Sequence, residues 1–198
     1  KTAQYDYTNV DTTKKLYKMS AAAEPKDHTD MGKYSESEVL VPSGNGGDGK
    51  TYIYYQLVLY TGTPLSLAGG ATVVDTLPAN TKYVDGSAYL VARYFNGAIN
   101  DTRNYKLADY VQWTGENNSY QHTSLSSDDF FAVDSSKAGE LTFTLKDNFQ
   151  ALWLRDHIDA VFIRYAVEVL DTDDDGNSIW DATLDQETKV FTNHAEWQ

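Results

Sequence analysis

Two polar side chains stand where strand alternation otherwise places apolar ones. In ATVVDTLP (71–78), Asp75 shares a face with Val73 and Leu77. In KVFTNHAEW (189–197), Asn193 shares a face with Phe191, Ala195 and Trp197, with Thr192 and His194 opposite. A carboxylate or an amide among large apolar neighbours is costly unless it is paired. A lysine on the inward face of the first strand would supply the partner. That strand, VDTTKKLYKM (10–19), places Val10, Lys14 and Leu16 on one face and Lys15 and Tyr17 on the other; Lys18 is its third lysine.

Other residue patterns point to other chemistry and carry less. DTDDDGNS (171–178) sets Asp171, Asp173, Asp175 and Gly176 at the spacing that begins a calcium-binding loop. The glutamate due at the twelfth position is absent, Ala182 standing there, and the flanks read as strand. The expectation is a solvated acidic hairpin loop, with a weak calcium site at Asp171, Asp173 and Asp175 as the alternative. His28, His122, His157 and His194 are scattered without ligand spacing, and no G-x-S-x-G elbow is present. A glycosidase needs a carboxylate pair at catalytic spacing, and the acids offer no such pair. Trp113 and Tyr120, in WTGENNSYQH, could stack on a sugar or grip a protein ligand, or simply pack in a loop. LPANT (77–81) echoes a sorting signal but lies in mid-chain.

The elements that must position these residues are strands. TYIYYQLVLYTG (51–62) puts Ile53, Tyr55, Leu57 and Leu59 on one face, and HIDAVFIRYAVEVL (157–170) reads as a long central strand. TKYVDG (81–86) ends in an Asp-Gly turn, and SAYLVARYF (87–95) precedes Asn96-Gly97, a hairpin signal. Residues 20–50 read as a long connection, with Pro25, Pro42 and the glycine-rich run 43–49. In 98–150, YVQWTG, FFAV and ELTFTL are short strands and DNFQALWL holds a helical turn; the region reads as an elaboration between late strands. Many short strands separated by turns predict an all-β sandwich, one domain over 1–198.

Composition narrows the partners. The 15 tyrosines favour strands, because the ring packs on a half-buried pleat while the hydroxyl reaches water. A net charge of −13 sets the chain against nucleic acid and anionic lipid. No run is long and apolar enough to cross a membrane. There is no cysteine, which excludes disulfides, thiolate metal sites and a thiol nucleophile. The chain opens Lys1-Thr2-Ala3 and reads as a segment of a larger extracellular precursor.

TKKL near the start, VVDTLPANTKYVDGS in the middle and KVFTNHAEW at the end resemble the isopeptide-forming domains of Gram-positive pilins and collagen-binding-type adhesins. The resemblance covers both ends and the middle, not 20–50 or 98–150. It implies an immunoglobulin-like sandwich in which a first-strand lysine bonds to a last-strand asparagine, promoted by the acid of a D-x-L-P segment. Matched residue by residue, Asp75 is that acid and Asn193 that asparagine. Lys14 is the first choice of nucleophile, because an apolar residue two positions later belongs to the pattern, with Lys15 and Lys18 as alternatives. Burial would keep the amine neutral and the acid protonated, as such a reaction requires. It happens once and needs no cofactor, so the domain is not an enzyme of turnover. The implied setting is a cell-wall-anchored surface protein. Its partners would be a host matrix protein or glycan, or neighbouring pilin or adhesin domains. The competing expectation is a carbohydrate-binding sandwich that uses exposed aromatic residues and has no cross-link.

Overall fold

The structure, a computed structural model, describes residues 14–26, 34–36, 39–61, 72–96, 101–106, 111–113, 120–122, 131–146, 158–180, 188–189 and 194–198. Among these every regular element is a strand, and all pairings are antiparallel.

The larger sheet is organised around β12 (Ile158–Val169), as its long apolar run predicts. β3 (Thr51–Thr61) pairs along one side of it, and β1 (Lys14–Ala21) pairs with β3 at the edge. On its other side β12 takes two strands end to end. β5 (Thr81–Tyr83) meets its last residues, and β6 (Tyr89–Asn96) meets its first half and leads to β7 (Asp101–Lys106). The second sheet runs β10 (Phe131–Asp134), β11 (Glu140–Leu145), β4 (Thr72–Thr76), β14 (His194–Trp197). Two small pairs complete the list: β2 (Val41–Pro42) with β13 (Thr188–Lys189), and β8 (Val111–Trp113) with β9 (Tyr120–His122).

The two sheets bury their facing sides against each other as a sandwich. Ile53, Tyr55, Leu57 and Leu59 of β3 and Val161, Ile163, Tyr165 and Val167 of β12 meet Val73, Leu141, Phe143, Ala195 and Trp197 in one cluster. This is the two-residue alternation of each strand read in three dimensions. The larger sheet also covers much of its reverse face. There Phe162 and Val91 pack together, and Arg164, wholly buried, donates from Nε to Gln56 Oε1 at 2.7 Å. Gln56 and Arg164 are directly opposite in the β3–β12 register, and the Tyr34 ring lies 5.0 Å from the guanidinium.

Several boundaries differ from the sequence expectation. The last strand, expected over 189–197, comes as two pieces in different pairs, because Lys189 belongs with β2 and His194 with β4. The 98–150 region is more than an elaboration. Phe131, Leu141, Phe143 and Leu145 alternate inward, which makes β10 and β11 half of the second sheet. Residues 20–50 contain β2 and a backbone bridge between Ser20 and Ser35. The helical turn expected in DNFQALWL lies outside the described residues, as do residues 10–13 of the first strand. The LPANT segment is the turn from β4 to β5. Asn80 takes a left-handed backbone (φ 61°), a conformation asparagine tolerates better than most residues, and Thr81 Oγ1 donates to the Pro78 carbonyl at 2.7 Å.

Candidate functional site

Asp75 is the second core-facing position of β4, two residues after Val73, and it is wholly buried. Its strand pairs on both sides, with Leu141 opposite it on β11 and Ala195 opposite it on β14. Those neighbours offer the carboxyl no side-chain donor. The donors come from across the sandwich. Lys18 Nζ donates to Asp75 Oδ1, and the Tyr165 hydroxyl donates to Asp75 Oδ2. The two carboxyl oxygens are therefore told apart by their partners.

Lys18 reaches this position because β1 alternates. Leu16, Lys18 and Ser20 face inward and are buried, while Tyr17 and Met19 are half-buried on the other side. Lys18 lies opposite Leu57 of β3, over the middle of the core. Its ammonium sits 4.6 Å from the centre of the Tyr55 ring and 5.8 Å from that of Tyr165. The two rings stack on each other at 5.4 Å, and Phe143 and Tyr83 lie 5.3 Å and 6.5 Å from Tyr165. Loss of water around the buried ammonium pushes the Lys18 pKa down from 10.5 to about 8, against the opposing pull of the Asp75 charge and hydrogen bond. A buried lysine of this kind is a latent nucleophile: its amine is available at a pH where an exposed lysine is almost wholly protonated.

The other residues singled out in the sequence are placed as follows. Lys14 and Lys15 open β1 opposite Thr61 and Tyr60; their side chains lie outside the described residues. Lys14 shares the inward parity of Lys18 but stands four residues before it, about 13 Å along an extended strand. Lys18, the alternative at the far end of the same short segment, is the lysine set against Asp75. Asn193 lies outside the described residues, two positions before Ala195 in the chain. β1 and β14 themselves are in contact: each is an edge strand of its own sheet, and both edges fall on one side of the sandwich.

Asp171, Asp173 and Asp175 belong to a tight turn closed by its own hydrogen bonds. Asp173 Oδ1 accepts from the backbone of Asp175 and Asn177, and Asp171 Oδ1 accepts from the Trp180 indole at 2.9 Å. Those backbone donors, Asn177 first, hold the Asp173 carboxyl below its usual range. Among the described residues no group of three or more histidines and acids is arranged to hold a metal ion. Trp113 and Tyr120 are register partners in the β8–β9 pair, and their side chains lie outside the described residues. Of the histidines, His194 is half-buried on β14, His122 is in β9, and His28 and His157 lie outside the described residues.

Tyr165 was not among the sequence candidates. It sits in an apolar stripe with Val161, Ile163 and Val167, where a tyrosine reads as core packing. The available signal was its hydroxyl: a phenol on a fully inward face needs a partner, and Asp75 is the acid facing it.

No family model matches the chain, and no curated protein does. Among solved structures, the collagen-binding domain of the Erysipelothrix rhusiopathiae surface protein RspB aligns with TM-score 0.38 and 12% identity, over 80% of this chain and 47% of that one. ACE19, the collagen-binding subdomain of the Enterococcus faecalis surface protein ACE, aligns with TM-score 0.35 and 7% identity, over 73% of this chain and 86% of that one. The chain thus spans about half the length of the RspB domain. Both alignments are loose, and neither assigns this chain a family or a ligand.

Proposed function

We propose that the chain is a structural or adhesive domain of a Gram-positive surface protein, held together by an autocatalytic amide bond between Lys18 and Asn193, with Asp75 as the acid. The observation that carries this reading is the wholly buried lysine–aspartate contact. A buried lysine–acid pair is weak evidence of stabilisation, since removing two charges from water can cost more than their attraction returns. A chemical role gives a reason for placing such a pair in the core. The contact of β1 with β14, the strand that Asn193 precedes, supports Asn193 as the electrophile.

The chemistry balances without an outside reagent. The Lys18 ammonium passes one proton to Asp75 Oδ1, which leaves a neutral amine beside a neutral carboxyl. The carboxyl then hydrogen-bonds the Asn193 carbonyl oxygen and draws electron density from Cγ. Lys18 Nζ attacks that carbon; the Nζ–Cγ bond forms, the Cγ–Nδ2 bond breaks, and a proton from Nζ leaves with Nδ2 as ammonia. Asp75 ends protonated, or ionised if it gives its proton to the departing ammonia. Positioning by the fold substitutes for much of the barrier, roughly 7–11 kcal/mol in well-oriented intramolecular reactions.

Outside the cell, such a bond would do for this cysteine-free chain what a disulfide does for others. The partners it would meet there are host matrix proteins, glycans or neighbouring domains of the same surface fibre, with the parent protein anchored to the cell wall. Peptide mapping tests the assignment. Digestion is expected to release one branched peptide joining the Lys18 segment to the Asn193 segment. Lys18→Met should abolish it and Lys14→Met should leave it. A branch that survives Lys18→Met, or is lost with Lys14→Met, would move the bond to another lysine.

A further inference from the structure

Asp75 has two chemically equivalent oxygens, and only one of them can serve Lys18. In the structure the second is taken: Oδ2 accepts from the Tyr165 hydroxyl, while Oδ1 accepts from Lys18. Tyr165 has little freedom to give up that contact. Its ring is buried, stacked on Tyr55, edged by Phe143 and flanked by Tyr83. Among the described residues, the titratable groups lining the pair are Tyr55 from β3 and Tyr165 from β12, with Tyr83 of β5 behind them. β11 and β14 present Leu141 and Ala195 beside Asp75.

We propose that Tyr165 is a positioning residue for the cross-linking reaction: by holding Oδ2 it orients the Asp75 carboxyl so that the proton from Lys18 is carried on Oδ1. This rests on the reading given under Proposed function. A carboxylic acid has one hydroxyl and one carbonyl oxygen. A phenol that donates to Oδ2 makes Oδ2 the carbonyl oxygen of the acid form and leaves Oδ1 as its hydroxyl. Tyr165 moves no proton itself; it remains a donor to Oδ2 before and after the transfer. Without it the carboxyl is free to turn, and the acid can point away from the amine and the amide.

The same hydrogen bond has a signature that packing alone would not give. It favours the carboxylate over the acid, so its removal makes Asp75 more basic. The reactive state holds one proton shared by Lys18 and Asp75, and the rate falls when that proton is lost. Tyr165→Phe keeps the ring and deletes the hydroxyl. The chain is recovered unreacted in urea, refolded by dilution, and followed by mass for the loss of ammonia. Tyr165→Phe is expected to slow the reaction about ten-fold at neutral pH and to move the alkaline limb of its pH profile upward. An unchanged rate and an unmoved limb would overturn the proposal and leave the cross-link standing. A second measurement does not depend on reaction. In an Asn193→Ala chain, the Asp75 carboxyl and Lys18 amine are titrated by NMR with and without Tyr165→Phe. An upward move of the pair's last deprotonation is expected. The same titration in both chains would overturn the role of Tyr165, whereas failure of the unsubstituted chain to lose ammonia would overturn the cross-link itself.

Discussion

In the proposed reaction, burial would give Lys18 its reactivity and Asp75 would limit it. Desolvation brings the Lys18 pKa down to about 8, so the neutral amine is a few hundred times more abundant at neutral pH than on an exposed lysine. The proposed reaction needs the acid at the same time, and above about pH 8 the pair would lose the proton it shares. The rate of ammonia loss in refolding chains is therefore expected to hold up to about pH 8 and to fall beyond it. A rate that climbs steadily through pH 10 would show that the amine acts without its acid. Asp75→Ala should abolish the reaction altogether, checked by mass, and should leave the Lys18 ammonium buried without its counter-charge. The melting temperature should then fall further than for Asn193→Ala, which loses the bond but keeps the pair.

Alternation made most of the strands legible, and long-range pairing accounts for what was not. The inward faces of β3, β4 and β12 follow from two-residue spacing, as does the burial of Asp75. Which lysine meets Asp75 does not follow. Lys14 and Lys18 have the same parity, and the apolar residue two positions after Lys14 favoured it. The choice depends on how far β1 slides along β3, and that register puts Lys18 opposite Leu57. Tyr165 was hidden for a related reason: its partner is 90 residues away in the chain. Arg164 and Gln56 show that register itself is enforced, since a one-residue slip would carry this wholly buried pair into the apolar core. Gln56→Leu removes the acceptor of Arg164 Nε and is expected to cost about 1–3 kcal/mol in denaturant unfolding. A neutral effect would mean that the pair does not hold β3 and β12 in register.

At the scale of the whole molecule, the first and last strands close the same side of the sandwich, and a bond between them would tie together most of the chain. In the chain-entropy treatment such a closure contributes about 5 kcal/mol, or a melting temperature higher by roughly 10–20 °C for a domain of this size. The unreacted fold should carry the opposite signature at Lys18. There the folded pKa of about 8 lies below the unfolded 10.5, so the unfolded chain binds more protons across that interval. The stability of Asn193→Ala should then rise with pH from about 8 to 10.5, relative to the same chain with Lys18→Met, which shares every tyrosine. Equal pH dependence in the two chains would mean that Lys18 is not buried as an amine. The most direct test of the central claim is the intact mass of the purified, unsubstituted chain. It should fall short of the mass calculated from the sequence by one ammonia, and that deficit should vanish in Lys18→Met. A mass equal to that of the unmodified sequence would contradict the cross-link.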